Sequence, residues 1–310
     1  MIDSLILIGG LILLVFSGDW LVKGGASLAK RFKVSPLVIG VTIISLGTSA
    51  PELVVSLESA LNGYPDVCIG NVLGSNIANL ALVLGVTALV ILIPVKRKTI
   101  RLDWSVMMFA TLLFYVFARD LVLSFWEGVI FLSCLGFYIA YSLVSSRKEM
   151  KNVEMEPAPY STLLSFAIII GSIIGLIYGS KLLVYGARNL ALSLGVSDRV
   201  ISLSVIAFGT SVPELATSVM AARRKELDIS VGNLIGSNIY NLFGIIGTTA
   251  IFTDIPVNKN TLSLDWFWVT GICIMLFIFM LPIKNSKINW WKGLLLLTTY
   301  LVYIYIIYFR

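Results

Sequence analysis

Gly47-Thr48-Ser49-Ala50-Pro51-Glu52 lies within an apolar stretch, and Gly209-Thr210-Ser211-Val212-Pro213-Glu214 repeats it 162 residues later. Working outward from the two hexapeptides, residues 5–16, 105–118, 128–143, 162–178, 267–282 and 293–309 carry few or no charges. With their flanks these runs are long enough to cross a bilayer as helices. Of the 310 residues, 58% are hydrophobic and 13% charged, and the mean hydropathy is +0.94. A soluble domain carries about a quarter charged residues. A soluble core can absorb one or two such runs, but not six. The hexapeptides therefore place a carboxylate inside a membrane twice.

The register that links them is long. Sliding the chain by 162 residues aligns 21–85 with 183–247 without a gap, and 28 of those 65 positions are identical. Chance in so apolar a chain gives about a tenth. A second matched pair is Gly70-Asn71-Val72-Leu73-Gly74-Ser75-Asn76-Ile77-Ala78-Asn79 and Gly232-Asn233-Leu234-Ile235-Gly236-Ser237-Asn238-Ile239-Tyr240-Asn241.

Hydropathy predicts ten helices, near 2–24, 36–61, 67–94, 102–119, 121–145, 161–184, 199–222, 228–252, 262–282 and 288–309. The offset then covers five spans, an odd number, so the second copy is expected upside down, a common transporter plan. The expected fold is an all-α polytopic membrane protein of ten transmembrane helices in two inverted five-helix repeats, 1–145 and 161–310. A polar linker, 146–160, joins them and holds Pro157 and Pro159.

Lys and Arg alternate from loop to loop. With the N-terminus outside, sixteen fall in inside loops, among them Lys30, Arg97, Lys148, Arg224 and Lys284, against five outside (Arg119, Arg188, Arg199, Lys259, Arg310). The bias predicts a multi-pass cell-membrane protein with both termini outside. It also reads the net charge of +6 as a topology signal, not a nucleic-acid surface. Cys68, Cys134 and Cys273 have no metal-like spacing and read as small core hydrophobes. The absence of histidine removes imidazole from any metal or proton-relay scheme.

Glu52 and Glu214 sit near the middle of the second and seventh predicted spans, with no Lys or Arg at comparable depth. An ionised carboxylate there is costly unless it is paired, solvated or bound to a cation. Glu58 lies near a span end, has Met220 as its counterpart, and reads as an interfacial carboxylate. Pro51 and Pro213 offer no N–H to the carbonyls of Gly47 and Gly209, which is expected to kink the helix and free backbone oxygens. Those carbonyls, the hydroxyls of Thr48, Ser49, Thr210 and Ser211, and the carboxylates form a set of hard donors suited to Ca²⁺ or Na⁺. Ser75 and Asn79 share a helix face, as do Ser237 and Asn241, and are expected to reach the cation. Gly70 with Gly74, and Gly232 with Gly236, read as close-packing surfaces, and Asn71, Asn76, Asn233 and Asn238 as interhelical glue.

These paired motifs, twice and inverted, resemble the cation/calcium exchanger superfamily, and within it the compact prokaryotic sodium/calcium exchangers. The resemblance covers essentially the whole chain. It implies an ion core of spans 2, 3, 7 and 8, with spans 1 and 6 sliding against it. It also implies that Glu52 and Glu214 bind Ca²⁺ with the backbone carbonyls of Thr48 and Thr210. Flanking Na⁺ sites would use Ser49, Ser211, Ser75 and Ser237, with carbonyls at Ser45 and Ala207, and Asn79 and Asn241 would line the central position. Similar exchangers often carry aspartate where this chain has Asn241, so two carboxylates are expected, a formal −2 that one Ca²⁺ neutralises.

The expected function is secondary Na⁺/Ca²⁺ antiport by alternating access. The alternatives are a Ca²⁺/H⁺ antiporter of the same superfamily and a cation channel. An enzyme is not expected, because Ser49 and Ser211 lack a nearby histidine or lysine base. No cofactor is expected beyond the transported ions, and the expected surroundings are the lipid bilayer, with no obligatory protein partner.

Overall fold

The computed structural model describes residues 2–154, 156–194, 209–281 and 286–309. They are helical apart from short connections and two small antiparallel ribbons. Helix α1 is Ile2–Phe32. Then come α2 (Pro36–Thr48), α3 (Ala50–Leu61), α4 (Pro65–Val90), α5 (Thr99–Asp120), α6 (Phe125–Met150) and α7 (Thr162–Ser193). The second half continues with α8 (Val212–Arg223), α9 (Leu227–Phe252), α10 (Thr261–Phe279) and α11 (Trp290–Phe309). Strands β1 (Ile93–Pro94), β2 (Val122–Leu123), β3 (Ile255–Pro256) and β4 (Lys287–Ile288) lie between helices.

Among the described residues, eight helices are long and apolar enough to span a bilayer, and α2 with α3 makes a further, bent pair. The chain is thus a multi-pass helical membrane protein. Three expectations change. The predicted span 36–61 is two helices meeting at 47°. Helices α1 and α7 have 31 and 32 residues and run past the expected ends at 24 and 184. At 1.5 Å per residue each is about 47 Å long, well over the roughly 30 Å of hydrocarbon, so an end of each leaves the apolar layer. Basic Lys30 and Arg31 in the last turn of α1 suit such an end. Helix α6 also reaches Met150 and takes up the start of the expected linker. The first part of the predicted span 199–222 lies outside the described residues.

Burial ranks the helices. In the most apolar stretch of α4 and of α9, 78% and 83% of residues are buried, against 17–33% for the other spanning helices. These two carry the Gly-Asn blocks, so the helices that bear those blocks form the centre of the molecule. The remaining helices surround them and turn side chains such as Phe137 and Leu163 outward, where lipid covers them.

The 162-residue register continues beyond the aligned sequence. Trp104 donates its indole N–H to the Cys273 carbonyl (2.9 Å), and Trp266 donates to the Thr111 carbonyl (2.8 Å). Adding 162 to 104 and 111 gives 266 and 273, so each half makes the same bond to the other. Within its own half, Tyr138 donates to Asp103 (2.8 Å) and Tyr303 to Asp265 (3.2 Å); the aspartates keep the 162-residue offset, whereas the tyrosines lie 165 residues apart, three residues out of register. Strand β1 pairs with β4 and β2 with β3, each ribbon joining the halves. Gly85 meets the backbone of Gly293, and its counterpart Gly247 meets that of Gly128, approaches that a Cβ would obstruct.

Candidate cation site

The hexapeptides fold differently from a simple kink. Across the first, the Ser49 N–H bonds the Ser45 carbonyl (2.9 Å) and the Leu53 N–H bonds the Ser49 carbonyl (3.1 Å). The carbonyls of Gly47 and Thr48 take part in neither bond. Pro51 stands in the first turn of α3, where its missing N–H has no intrahelical partner to lose. Ser49 (φ −87°, ψ 7°) is the joint between helices, and Ser211 (φ −88°, ψ 0°) repeats it. The proline therefore starts a new helix, and Glu52 and Glu214 fall in the first turns of α3 and α8. There the positive end of the helix dipole favours a carboxylate. In the second half the Gly209 carbonyl accepts the Ser180 hydroxyl (2.5 Å). The corresponding position on α1 is Gly18, which has no hydroxyl to offer.

Both carboxylates are fully buried, as are Thr48, Ser49, Ser211, Ser237, Asn79 and Asn241. Ser49 Oγ donates to Glu214 Oε1 (3.0 Å), joining the halves directly. The counterpart bond is missing: Ser211 Oγ and both Glu52 oxygens have no hydrogen-bond partner among the described residues. Glu214 Oε2, Ser237 Oγ, Asn241 Oδ1 and both polar atoms of Asn79 are also unpartnered. Buried polar atoms are nearly always paired, so this concentration of open oxygens marks a polar ligand.

Magnitudes say which ligand. Each carboxylate taken out of water costs several kcal/mol after relaxation. A helix N-terminus returns at most about 2 kcal/mol. The ion pairs among the described residues, such as Asp19–Arg224 and Lys98–Glu149, leave Glu52 and Glu214 out. The remaining compensation has to come from bound cations or protons. All donors are hard oxygens, which favours Ca²⁺ and Na⁺ over soft transition metals. Among the described residues no three Asp, Glu, His or Cys side chains converge, so the site is two carboxylates eked out by neutral oxygens.

The other sequence candidates fall around this pair. Asn79 and Asn241 each occupy the second position of a widened π-helical turn, Ala78–Val83 and Tyr240–Ile246. Such turns gather at functional sites, and nothing in the residue spacing announced them. Asn241 Nδ2 donates to Asn76 Oδ1 (3.1 Å), a bond that an aspartate at 241 could not make. Ser75 Oγ donates to its own helix at Asn71 O (2.6 Å) and keeps lone pairs free. The Ser45 carbonyl accepts the Ser49 N–H and retains one lone pair. Thr210 is half-buried beside the second joint, and Ala207 lies outside the described residues. Glu58 is exposed, away from the buried cluster.

Gly232 and Gly236 do pack closely. A Cβ at either would stand 2.5 Å from the Leu37 carbonyl or 2.6 Å from the Val41 Cα, so α2 lies backbone to backbone on α9. The positions equivalent to Leu37 and Val41 in the second half, 199 and 203, lie outside the described residues. The asparagines read as glue do more than glue. Asn233 is fully buried and links Thr48 to Ser218, while Asn71 links Ser56 to the Glu52 carbonyl.

A helical membrane protein with a paired buried carboxylate site defines an ion-transport class, and the comparisons narrow it. The sodium/calcium exchanger protein family matches residues 3–144 and 164–309, and the chain belongs to that family. It is 35% identical to the membrane protein MJ0091 of Methanocaldococcus jannaschii, with 94% of each chain covered. It is 29% identical to the sodium/calcium exchanger MaX1 of Methanosarcina acetivorans, with 99% of each covered. Among solved structures it resembles the sodium-calcium exchanger NCX_Mj soaked with zero Na⁺ and Ca²⁺, with a TM-score of 0.83, 32% identity and 97% of each chain covered. The same exchanger soaked with 2.5 mM Na⁺ and 1 mM Sr²⁺ gives 0.84, 32% and 98%.

Proposed function

We propose that this chain is a secondary antiporter that exchanges Na⁺ for Ca²⁺ by alternating access. The observation that carries this is the pair of fully buried carboxylates, matched in sequence and each at a helix N-terminus, among unpartnered neutral oxygens. Ca²⁺ is held by Glu52 and Glu214 with the carbonyls of Thr48 and Thr210. Na⁺ uses Ser49, Ser211, Ser75 and Ser237 with the carbonyls of Ser45 and Ala207, and Asn79 and Asn241 line the centre between them.

The two halves, 1–145 and 161–310, are inverted repeats of five helices, joined by 146–160. The reciprocal Trp bonds between the halves and the matched Tyr–Asp bond within each half support this arrangement. Both termini lie outside. In support, loops assigned to the inside meet one another, as in Lys30–Glu156, Lys96–Asp228 and β1 with β4. β2 with β3 and Asn189 with Asp3 join segments assigned to the outside.

Coupling follows from electrostatics. One Ca²⁺ neutralises the two carboxylates, and Na⁺ ions compete for the same oxygens. An empty core would have to carry two buried charges through the occluded state, which costs several kcal/mol per charge and blocks uncoupled return. In reconstituted vesicles an outward Na⁺ gradient at fixed pH is expected to drive Ca²⁺ uptake. Uptake driven by a pH gradient in the absence of Na⁺, with none driven by Na⁺, would instead make the glutamates proton carriers. Ohmic single-channel currents would make the chain a channel.

A further inference from the structure

Asn71 and Asn233 are identical residues at matched positions, and each donates its side-chain amide to the matched serine of its own half. Asn71 Nδ2 bonds Ser56 Oγ at 2.9 Å, and Asn233 Nδ2 bonds Ser218 Oγ at 3.2 Å. Beyond that they differ. Asn233 Oδ1 accepts the Thr48 hydroxyl of the other half (3.1 Å), and Asn233, Thr48 and Ser218 are all fully buried. Asn71 is half-buried and turns to the Glu52 carbonyl of its own half (3.2 Å). Its cross-half counterpart, Thr210, is half-buried too.

Thr48 ends α2 at the joint, four residues before Glu52. Its hydroxyl lies slightly farther from the Ser45 carbonyl, at 3.3 Å, than from Asn233. The Asn233 bond ties the Thr48 side chain to the facing helix α9, at the residue whose carbonyl the exchange reading gives to Ca²⁺. Asn233 cannot swing freely, because Ser218 holds its amide, and Ser230 in turn donates to the Ser218 carbonyl (3.0 Å).

We propose that Asn233 and Asn71 are positioning residues that alternate: Asn233 holds Thr48 in this conformation, and Asn71 holds Thr210 when the halves exchange conformations. This rests on the exchange reading and on the inverted repeats. In such a protein the opposite-facing state is reached when each half adopts the other's shape. A contact made by one half alone therefore belongs to one face of the cycle. Neither asparagine touches the ion in this scheme; each acts through a threonine.

The test measures half-saturating Ca²⁺ for Na⁺-driven exchange at each face, in right-side-out and inside-out vesicles. Losing one buried hydrogen bond is expected to raise it about five- to tenfold. Asn233→Ala raises it at one face only, and Asn71→Ala at the opposite face only. Thr48→Val removes the other end of the same bond while keeping the carbonyl, so it gives the same one-faced rise as Asn233→Ala. The Thr48→Val/Asn233→Ala double variant is no worse than either single, because interacting residues do not add. Equal rises at both faces, no rise, or additive losses would overturn the alternation while leaving exchange intact. A wild-type protein with no Na⁺-driven Ca²⁺ movement would overturn the exchange reading itself, and the alternation with it.

Discussion

The outer helices and the ion centre treat the 162-residue repeat differently. Away from the centre several bonds have a partner: Trp104 with Trp266, Tyr138 with Tyr303, and the two ribbons. At the centre the pairing fails. Ser49 bonds Glu214 while Ser211 leaves Glu52 alone, and Asn241 bonds Asn76 while Asn79 and the Asn238 oxygen have no partner among the described residues. Contacts that both halves share can persist through a transport cycle, whereas contacts made by one half define the conformation present. A rigid, symmetric frame around an asymmetric centre is what alternating access requires.

The largest effect is expected from the carboxylates. Glu52→Gln and Glu214→Gln each remove half the core charge, and Na⁺-driven ⁴⁵Ca²⁺ uptake in vesicles should fall to background for both. Glu58→Gln, at an exposed position, should leave uptake within twofold of wild type. Next comes Gly236→Val, which drives a branched side chain into the α2 backbone. Overpacking typically costs 1–3 kcal/mol, and contact with backbone leaves little room for relaxation. A fall of several degrees in the melting temperature in detergent is expected.

The frame predicts a smaller but matched pair. Trp104→Phe and Trp266→Phe each delete one indole hydrogen bond, worth about 1 kcal/mol, and should lower stability equally while leaving the two faces balanced. Unequal losses would break the distinction between frame and centre. The smallest effect concerns the clasp between α1 and α8. Asp19 pairs with Arg224 and with Lys23 (3.1 Å), whereas the counterpart positions hold Lys181 and Asn62, which cannot form an ion pair. Partly exposed pairs are worth about 0.2–1 kcal/mol. Asp19→Asn should therefore change the half-saturating Ca²⁺ on the side of the basic loops by no more than about fivefold.

Much of the fold was legible in the sequence because a bilayer makes hydropathy decisive: the apolar runs gave a helical membrane protein. Helix ends were less legible, since α1 and α7 continue past their apolar runs through residues that form helix equally well in water. The proline was expected to bend the helix, and the chain does bend by 47° there, but the bend is a break at Ser49, with Pro51 in the first turn of the helix that follows. Among the site residues, Glu52 and Glu214 stood out because charge inside a membrane is rare. Asn233 did not, because its role depends on a threonine 185 residues away. The widened turns at Asn79 and Asn241 leave no mark in residue spacing. The continuation of the repeat was legible as well, since Ile93-Pro94-Val95, Thr99 and Leu102-Asp103-Trp104 recur at 255–257, 261 and 264–266, but the indole bonds between the halves were not.

The central claim is that Ca²⁺ and Na⁺ share one buried set of oxygens built on Glu52 and Glu214. Equilibrium ⁴⁵Ca²⁺ binding to the purified protein, titrated with Na⁺ against choline at constant ionic strength, tests it directly. Na⁺ should displace the bound Ca²⁺ completely, and Glu52→Gln should retain none to displace. Bound Ca²⁺ that is indifferent to Na⁺, or that survives Glu52→Gln unchanged, would contradict it.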